Sequence, residues 1–183
     1  MTGFSEILRL PRTAVYLTND KIPSDELILR CAELFAGDTA AGRQIIRPKM
    51  GKPRFDGCEG LSFSISHSGG LTCCAVSRDE VGFDIQQTLP GFRFADIARR
   101  LFSAAEHETV TSVGGEEQIQ RFYSIWTAKE AYVKLDGEGV VRGFRVFSVV
   151  SSDGKFLTEV NGRQLIPVTV PQGYLACLCI LPR

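Results

Sequence analysis

The chain has no apolar run long enough to cross a bilayer and no excess of either charge: its 21 Lys and Arg balance its 21 Asp and Glu. The balance excludes bulk attraction to nucleic acid or an anionic membrane surface, so an anionic ligand would have to be held by a local cluster. Met1 to Leu10 contains Glu6 and Arg9 and has no continuous apolar core, so no secretory signal is expected there and a cytoplasmic location is. Histidine is scarce, with only His67 and His107, and neither stands at ligand spacing from the six cysteines, which argues against zinc. No C-x-x-C pair occurs among Cys31, Cys58, Cys73, Cys74, Cys177 and Cys179. Four of them lie in apolar strand-like runs and read as small buried hydrophobes in a reducing compartment.

What is present suffices for a real core. Of 183 residues 44% are hydrophobic and 23% charged, ordinary values for a soluble globular protein, and the helix and strand signals along the chain read as α+β. Thr13 to Thr18 reads as a short strand. Pro23-Ser24-Asp25-Glu26 opens a helix whose core stripe is Leu27, Ile28, Cys31, Leu34 and Phe35, and Gly37 stops it. Arg43 to Phe55 interleaves five basic residues with Pro48, Gly51 and Pro53, a basic extended loop in which proline excludes helix.

Leu61 to Ser66 alternates strictly, with Leu61, Phe63 and Ile65 toward a core and three serines away from it. His67-Ser68-Gly69-Gly70 ends that strand. A histidine among serines suggests a nucleophile and its base, but neighbours on a strand project to opposite faces, so Ser66 and His67 do not readily form a hydrolase pair. Leu71–Val76 and Val81–Gln86 read as two strands joined by a four-residue hairpin loop, Ser77-Arg78-Asp79-Glu80. On the second, Asp84 and Gln86 share a face, and oxygen donors so arranged suit a hard cation or simply a solvated surface.

Ser103-Ala104-Ala105-Glu106 is a capping box, which accounts for both polar residues locally. A long helix starts near Glu116 and Glu117, with Ile119, Phe122, Tyr123, Trp126 and Val133 on a broad apolar face. Glu130 falls inside that face, where a carboxylate is costly without a partner. Lys134, one turn on, offers a plain i,i+4 pair worth about 0.2–0.5 kcal/mol. Gly137-Glu138-Gly139 then breaks the chain. Strands are expected at Phe144–Val150, Lys155–Val160 and Leu165–Val170, with Asp153-Gly154 and Asn161-Gly162 as hairpin signals, and a last strand at Tyr174–Leu181.

The stretch Gly69 to Val76 echoes Gly173 to Ile180, with Gly, Leu, Cys and a β-branched residue at the same offsets. The echo suggests two similar helix-plus-antiparallel-sheet halves, 1–78 and 79–183, related by a pseudo-two-fold and meeting at a cleft.

Four motifs stand in order: Gly51-Lys52-Pro53, Phe63 to Ser68, Val81 to Gln86, and Trp126 to Lys134. Together they resemble the 4′-phosphopantetheinyl transferases of the surfactin-synthetase-activating type, over roughly Arg47 to Val149 and the final strand. The resemblance implies an Mg²⁺-dependent enzyme that moves the phosphopantetheine arm of coenzyme A, its co-substrate, onto a serine of an apo acyl, peptidyl or aryl carrier protein and releases 3′,5′-ADP. It implies metal ligands Asp84 and Glu130 with Gln86 beside them, Glu130 as base, and Lys134 on a diphosphate oxygen. Arg47, Lys52, Ser66 and His67 would bind coenzyme A. A monomer with no nucleic-acid or membrane partner is expected. The carrier would dock on Arg93, Arg99, Arg100 and Arg121 mixed with Leu101 and Phe102, unless these merely line a solvated helix face. Gln86 departs from the family, which has a carboxylate there, and opens the alternative of a non-catalytic module binding coenzyme A or a carrier protein. Arg9, Arg12 and Lys21 remain without a role.

Overall fold

The computed structural model describes residues 3–40, 42–49, 51–91, 93–137 and 144–182. In chain order the elements are β1 (Ser5–Leu10), β2 (Thr13–Thr18), α1 (Ser24–Ala36), β3 (Ile45–Ile46), β4 (Arg54–Phe55), β5 (Ser62–Ser68), β6 (Leu71–Ser77), β7 (Val81–Gln87), α2 (Phe94–Leu101), α3 (Ala104–Thr111), α4 (Gly115–Asp136), β8 (Glu159–Val160), β9 (Arg163–Pro167) and β10 (Tyr174–Ile180). They form a mixed α+β fold with two four-stranded antiparallel sheets, ordered β1-β2-β6-β5 and β7-β10-β9-β8. The short β3–β4 ladder lies within the expected basic loop. Glu138 and Gly139 of the expected chain break lie outside the described residues.

Helix α1 packs Leu27, Ile28, Cys31 and Ala32 onto the first sheet. Leu34, expected on that stripe, is 55% exposed instead. The expected hairpin at Ser77–Glu80 does not form. Both edges of β6 are already filled, by β2 and β5, so β7 has no place beside it. The chain crosses to the second sheet, where β7 pairs with β10.

The alternating serines of β5 join the two sheets. Ser64 Oγ accepts the Phe83 N–H at 3.0 Å, Ser66 Oγ that of Ile85 at 3.4 Å, and Ser68 Oγ that of Gln87 at 3.0 Å. Side-chain oxygens thus satisfy the outer edge of β7, which would otherwise carry unpaired donors. A shared apolar layer lies behind this seam, with Val15, Cys73 and Ala75 from the first sheet against Phe83, Ile85 and Leu178 from the second.

Helix α4 crosses the second sheet and is enclosed more fully than an amphipathic stripe would be. Ile125, Thr127, Ala128, Lys129, Ala131, Tyr132, Val133 and Leu135 are all buried, while Trp126, Glu130 and Lys134 form a half-buried line. After it, the strand expected at Lys155–Val160 is reduced to a bridge between Val150 and Phe156 and the two residues of β8, and the strand expected at Phe144–Val150 does not form, Phe144–Val146 being a single 3₁₀ turn. The cause is a buried ion pair. Lys129 Nζ donates to the Phe144 and Phe147 carbonyls at 2.6 and 2.7 Å, and Glu106 Oε1 accepts the Val149 N–H at 2.8 Å. Backbone groups a strand would pair with a neighbour are taken by these side chains. The turn at Asn161-Gly162 forms as expected, with φ of 50° and 72°.

The cysteines need no chemistry. All except the half-buried Cys58 are buried, and burial lifts the Cys73 thiol to about 12 and the Cys177 thiol higher still.

Candidate active site

The strand period of two sends Asp84 and Gln86 of β7 toward α4, and Gly82 sets how close the helix comes. A Cβ at Gly82 would lie 1.9 Å from the Ala131 carbonyl oxygen and 2.7 Å from the Leu135 nitrogen. Only glycine permits that approach, which holds the Glu130–Lys134 turn of α4 over Asp84. At the C-terminus of α4, Gly137 takes the left-handed conformation (φ 70°), and a Cβ there would meet the Lys52 backbone nitrogen at 2.6 Å.

Asp84 is 1% exposed and accepts three hydrogen bonds. Its Oδ1 takes the Lys134 ammonium at 2.6 Å and the Ser66 hydroxyl at 2.7 Å, and its Oδ2 takes the Gln86 amide nitrogen at 3.1 Å. Lys134 Nζ also reaches Ser66 Oγ at 3.1 Å. The lysine's hydrogen-bonding partners are therefore on β5 and β7. Gln86 turns its carbonyl oxygen to the Ser68 hydroxyl at 3.4 Å. Among the described residues no buried side-chain nitrogen or oxygen lacks a partner.

Glu130 completes the group. Burial and the Asp84 charge push its carboxyl above the usual range, and the Lys134 ammonium partly opposes this. A half-buried carboxylate so placed holds a proton more readily than a surface glutamate and is suited to proton transfer. With Asp84 it offers two hard oxygen donors. Among the described residues no third His, Cys, Asp or Glu joins them, and the remaining oxygen is the neutral amide of Gln86. This set fits a cation such as Mg²⁺, which binds through one or two carboxylates and completes its shell with water and substrate phosphate.

The other candidates lie further off. Lys52 donates to the Val81 carbonyl at 2.6 Å, to Ser62 Oγ at 2.9 Å and to Glu80 at 3.1 Å, and burial lowers its affinity for a proton. Val81 is three residues before Asp84, roughly 10 Å along the strand. Arg47 pairs with Asp25 in the first turn of α1, both half-exposed. His67 projects to the opposite face of β5 from Ser66 and is exposed. The structure thus brings Ser66, Asp84, Gln86, Glu130 and Lys134 together and leaves Arg47, Lys52 and His67 apart from them.

Of the expected docking residues, Phe102 is 1% exposed and packs on Phe122 in the core, so it cannot meet a partner. Arg93, Arg99 and Arg100 are exposed on or beside α2. Arg121 is bound to Glu117 and the Thr109 carbonyl. Sequence reasoning missed Ser64 and Ser68 as the seam to β7, Gly82 as the spacer, and the Lys129–Glu106 pair. The period-two serine face and the lone glycine beside Val81 were the available signals for the first two.

Compared with known proteins, residues 80–178 match the family model described as the 4′-phosphopantetheinyl transferase superfamily. The matched span holds Asp84, Gln86, Glu130 and Lys134. The chain is 31% identical to a 4′-phosphopantetheinyl transferase of Bacillus subtilis over 154 residues, 84% of this chain and 63% of that protein. It is 34% identical to the 4′-phosphopantetheinyl transferase Sfp of Bacillus subtilis (strain 168) over 113 residues, 61% of this chain and 50% of that one. It is 35% identical to the 4′-phosphopantetheinyl transferase AcpT of Escherichia coli (strain K12) over 119 residues, 64% and 58% of the two chains. The chain therefore spans between 50% and 63% of the length of these relatives.

Proposed function

The chain belongs to the 4′-phosphopantetheinyl transferase superfamily, and on that premise we propose that it transfers the phosphopantetheine arm of coenzyme A to a serine of an apo carrier protein, acting as a monomer. One observation carries the reading. A buried aspartate, Asp84, is tied at 2.6 Å to a lysine, Lys134, with a second carboxylate, Glu130, held above its usual protonation range beside them.

The carrier serine hydroxyl attacks the phosphorus that bears the pantetheine arm. A new P–O bond forms, the bond from that phosphorus to the bridging oxygen breaks, and 3′,5′-ADP leaves with the electron pair. Glu130 accepts the serine proton, directly or through water. Lys134 holds a diphosphate oxygen and offsets charge as it develops. Asp84 and Glu130, with Gln86 as a neutral donor, would hold Mg²⁺, which when bound draws negative charge off the diphosphate. Ser66 keeps Asp84 and Lys134 in register through its bonds to both. Arg47, Lys52 and His67 would serve the nucleotide phosphates, and the first two would exchange their present partners to do so. The exposed arginines of α2 suit an acidic carrier surface.

The pseudo-two-fold relation of halves 1–78 and 79–183 belongs to the same proposal. The order β2-β6-β5 of the first sheet matches β7-β10-β9 of the second, with a helix after the first strand of each set, which supports descent from one repeated unit. The echoing glycine–leucine–cysteine stretches then fall on the equivalent strands β6 and β10. Among the described residues no helix is long and apolar enough to cross a membrane.

Gln86 favours one other reading, a non-catalytic module that binds coenzyme A or a carrier. Release of 3′,5′-ADP separates the two. Transferase activity requires release that depends on apo-carrier and Mg²⁺. Binding of coenzyme A without any release would establish the module.

A further inference from the structure

Asp84 Oδ1 has two lone pairs and both are taken, by Lys134 at 2.6 Å and by Ser66 at 2.7 Å. Oδ2 has one left, the other being used by the Gln86 amide at 3.1 Å. A cation bound to Asp84 while these contacts persist would use that single site with an ammonium charge a few ångströms away. The repulsion would be strong, because Asp84 is 1% exposed and water screens the pair poorly. Among the described residues the donors that could offset it are few: one further carboxylate, Glu130, and one neutral amide that presents its nitrogen to Asp84 and its oxygen to Ser68. Lys134 is also more open to solvent than Asp84. Its side chain is 29% exposed against 2% for Asp84, and it sits at the end of a flexible four-carbon stem.

We propose that Lys134 and a divalent cation compete for Asp84, so that the protein alone binds the cation weakly and acquires affinity for it only with coenzyme A. The diphosphate supplies what the site lacks. It offers Lys134 another anionic partner, freeing an Asp84 lone pair, and it gives the cation further oxygens. Lys134 is then a specificity-determining residue as well as a charge clamp: it holds the aspartate against free divalent cations and yields it to a cation that arrives with a diphosphate. Ser66 remains on Asp84 throughout and keeps the carboxylate aimed. The inference rests on the reading of the site as a coenzyme A site.

The test is binding, not turnover. Mn²⁺ is titrated into the whole protein and followed by electron paramagnetic resonance, with and without coenzyme A, after subtraction of Mn²⁺ held by coenzyme A in buffer. Wild-type protein should bind Mn²⁺ weakly alone and at least about tenfold more tightly with coenzyme A, the effect of removing a unit charge from beside a poorly screened site. Lys134→Gln should bind Mn²⁺ alone at least about tenfold more tightly than wild type, and should bind coenzyme A more weakly by calorimetry without metal. Lys134→Met is the second variant, and circular dichroism confirms that each is folded. Wild-type affinity for Mn²⁺ that is equal with and without coenzyme A overturns the proposal, as does unchanged or weaker Mn²⁺ binding in both Lys134 variants. If coenzyme A does not bind at all, the functional reading falls, while competition between Lys134 and the cation is still decided by the arm with protein and Mn²⁺ alone.

Discussion

Lys129 Nζ lies 2.9 Å from Glu106 Oε1, and neither side chain has any exposed surface. The pair joins α3 to α4 and also holds the segment that follows α4. Lys129 takes the carbonyls of Phe144 and Phe147, and Glu106 takes the N–H groups of Ser103 and Val149. The Phe147 ring lies 4.0 Å from the ammonium. Lys129 immediately precedes Glu130, so the pair fixes the helix turn on which the proposed base stands.

Lys129→Met should therefore destabilise the fold by about 3–5 kcal/mol, since removing one member of a buried pair leaves the other uncompensated. The double variant Lys129→Met with Glu106→Gln should recover part of the loss. Urea unfolding midpoints of the three proteins check this. A single variant as stable as wild type would mean that the segment after α4 is held by something else.

Gly82→Ala places a methyl group against the α4 backbone, which cannot yield as a flexible side chain does. A cost of about 1–3 kcal/mol or more is expected. If the helix shifts to relieve it, Glu130 and Lys134 move from Asp84, and transferase rate should fall further than the stability loss explains. A thermal melt and a rate measured well below the melting temperature separate the two effects.

Much of the site was legible because its residues sit on regular elements. Asp84 and Gln86 follow from strand alternation, and Glu130 stands out as a carboxylate on a largely buried helix. What failed was non-local. Ser77–Glu80 has the length of a hairpin loop, but whether β7 can pair with β6 depends on β2 and β5 having filled both edges. Phe144–Val150 has strand composition, but its backbone partners are Lys129 and Glu106, one of which a capping box already explained. Phe102 looked like a surface residue beside arginines, and only the packing of α2 on α4 buries it. The serines of β5 announced a polar face without saying that the strand edge of β7 lay across it.

Glu130→Gln keeps side-chain size and removes the proposed base, so the rate should fall at least about 10²-fold. Stability should move the other way. The Glu130 carboxyl is held above its unfolded value by burial first and Asp84 second. Between those two values the folded state keeps a proton that the unfolded chain has lost, so stability falls as pH rises through that window and the cost persists above it. Glu130→Gln removes this cost and should be at least as stable as wild type at neutral pH, with a gap that closes on acidification below the unfolded value. The wild-type rate should rise with pH through the same raised value. Urea midpoints against pH and a pH–rate profile check both; a variant less stable at pH 7 than at pH 4, relative to wild type, would contradict the assignment.

Gln86→Glu adds a third carboxylate beside Asp84 and Glu130 and removes the amide donor to Asp84. Without metal the variant should melt below wild type. Addition of Mg²⁺ should raise its melting temperature more than that of wild type, and should reach half-maximal rate at a lower concentration. Gln86→Ala should be tolerated, with water in the vacated position, whereas Asp84→Ala should not. Identical Mg²⁺ responses in Gln86→Glu and wild type would remove residue 86 from the metal's surroundings.

The most direct measurement is the intact mass of apo acyl, peptidyl and aryl carrier proteins after incubation with this protein, coenzyme A and Mg²⁺. Wild-type protein should add the mass of one phosphopantetheine group to at least one carrier, in proportion to the 3′,5′-ADP released, and Asp84→Ala and Glu130→Gln should add it at least about 10²-fold more slowly. No mass gain on any carrier, with coenzyme A bound, would contradict the transferase reading, and equal gain with wild type and both variants would remove the site from Asp84 and Glu130.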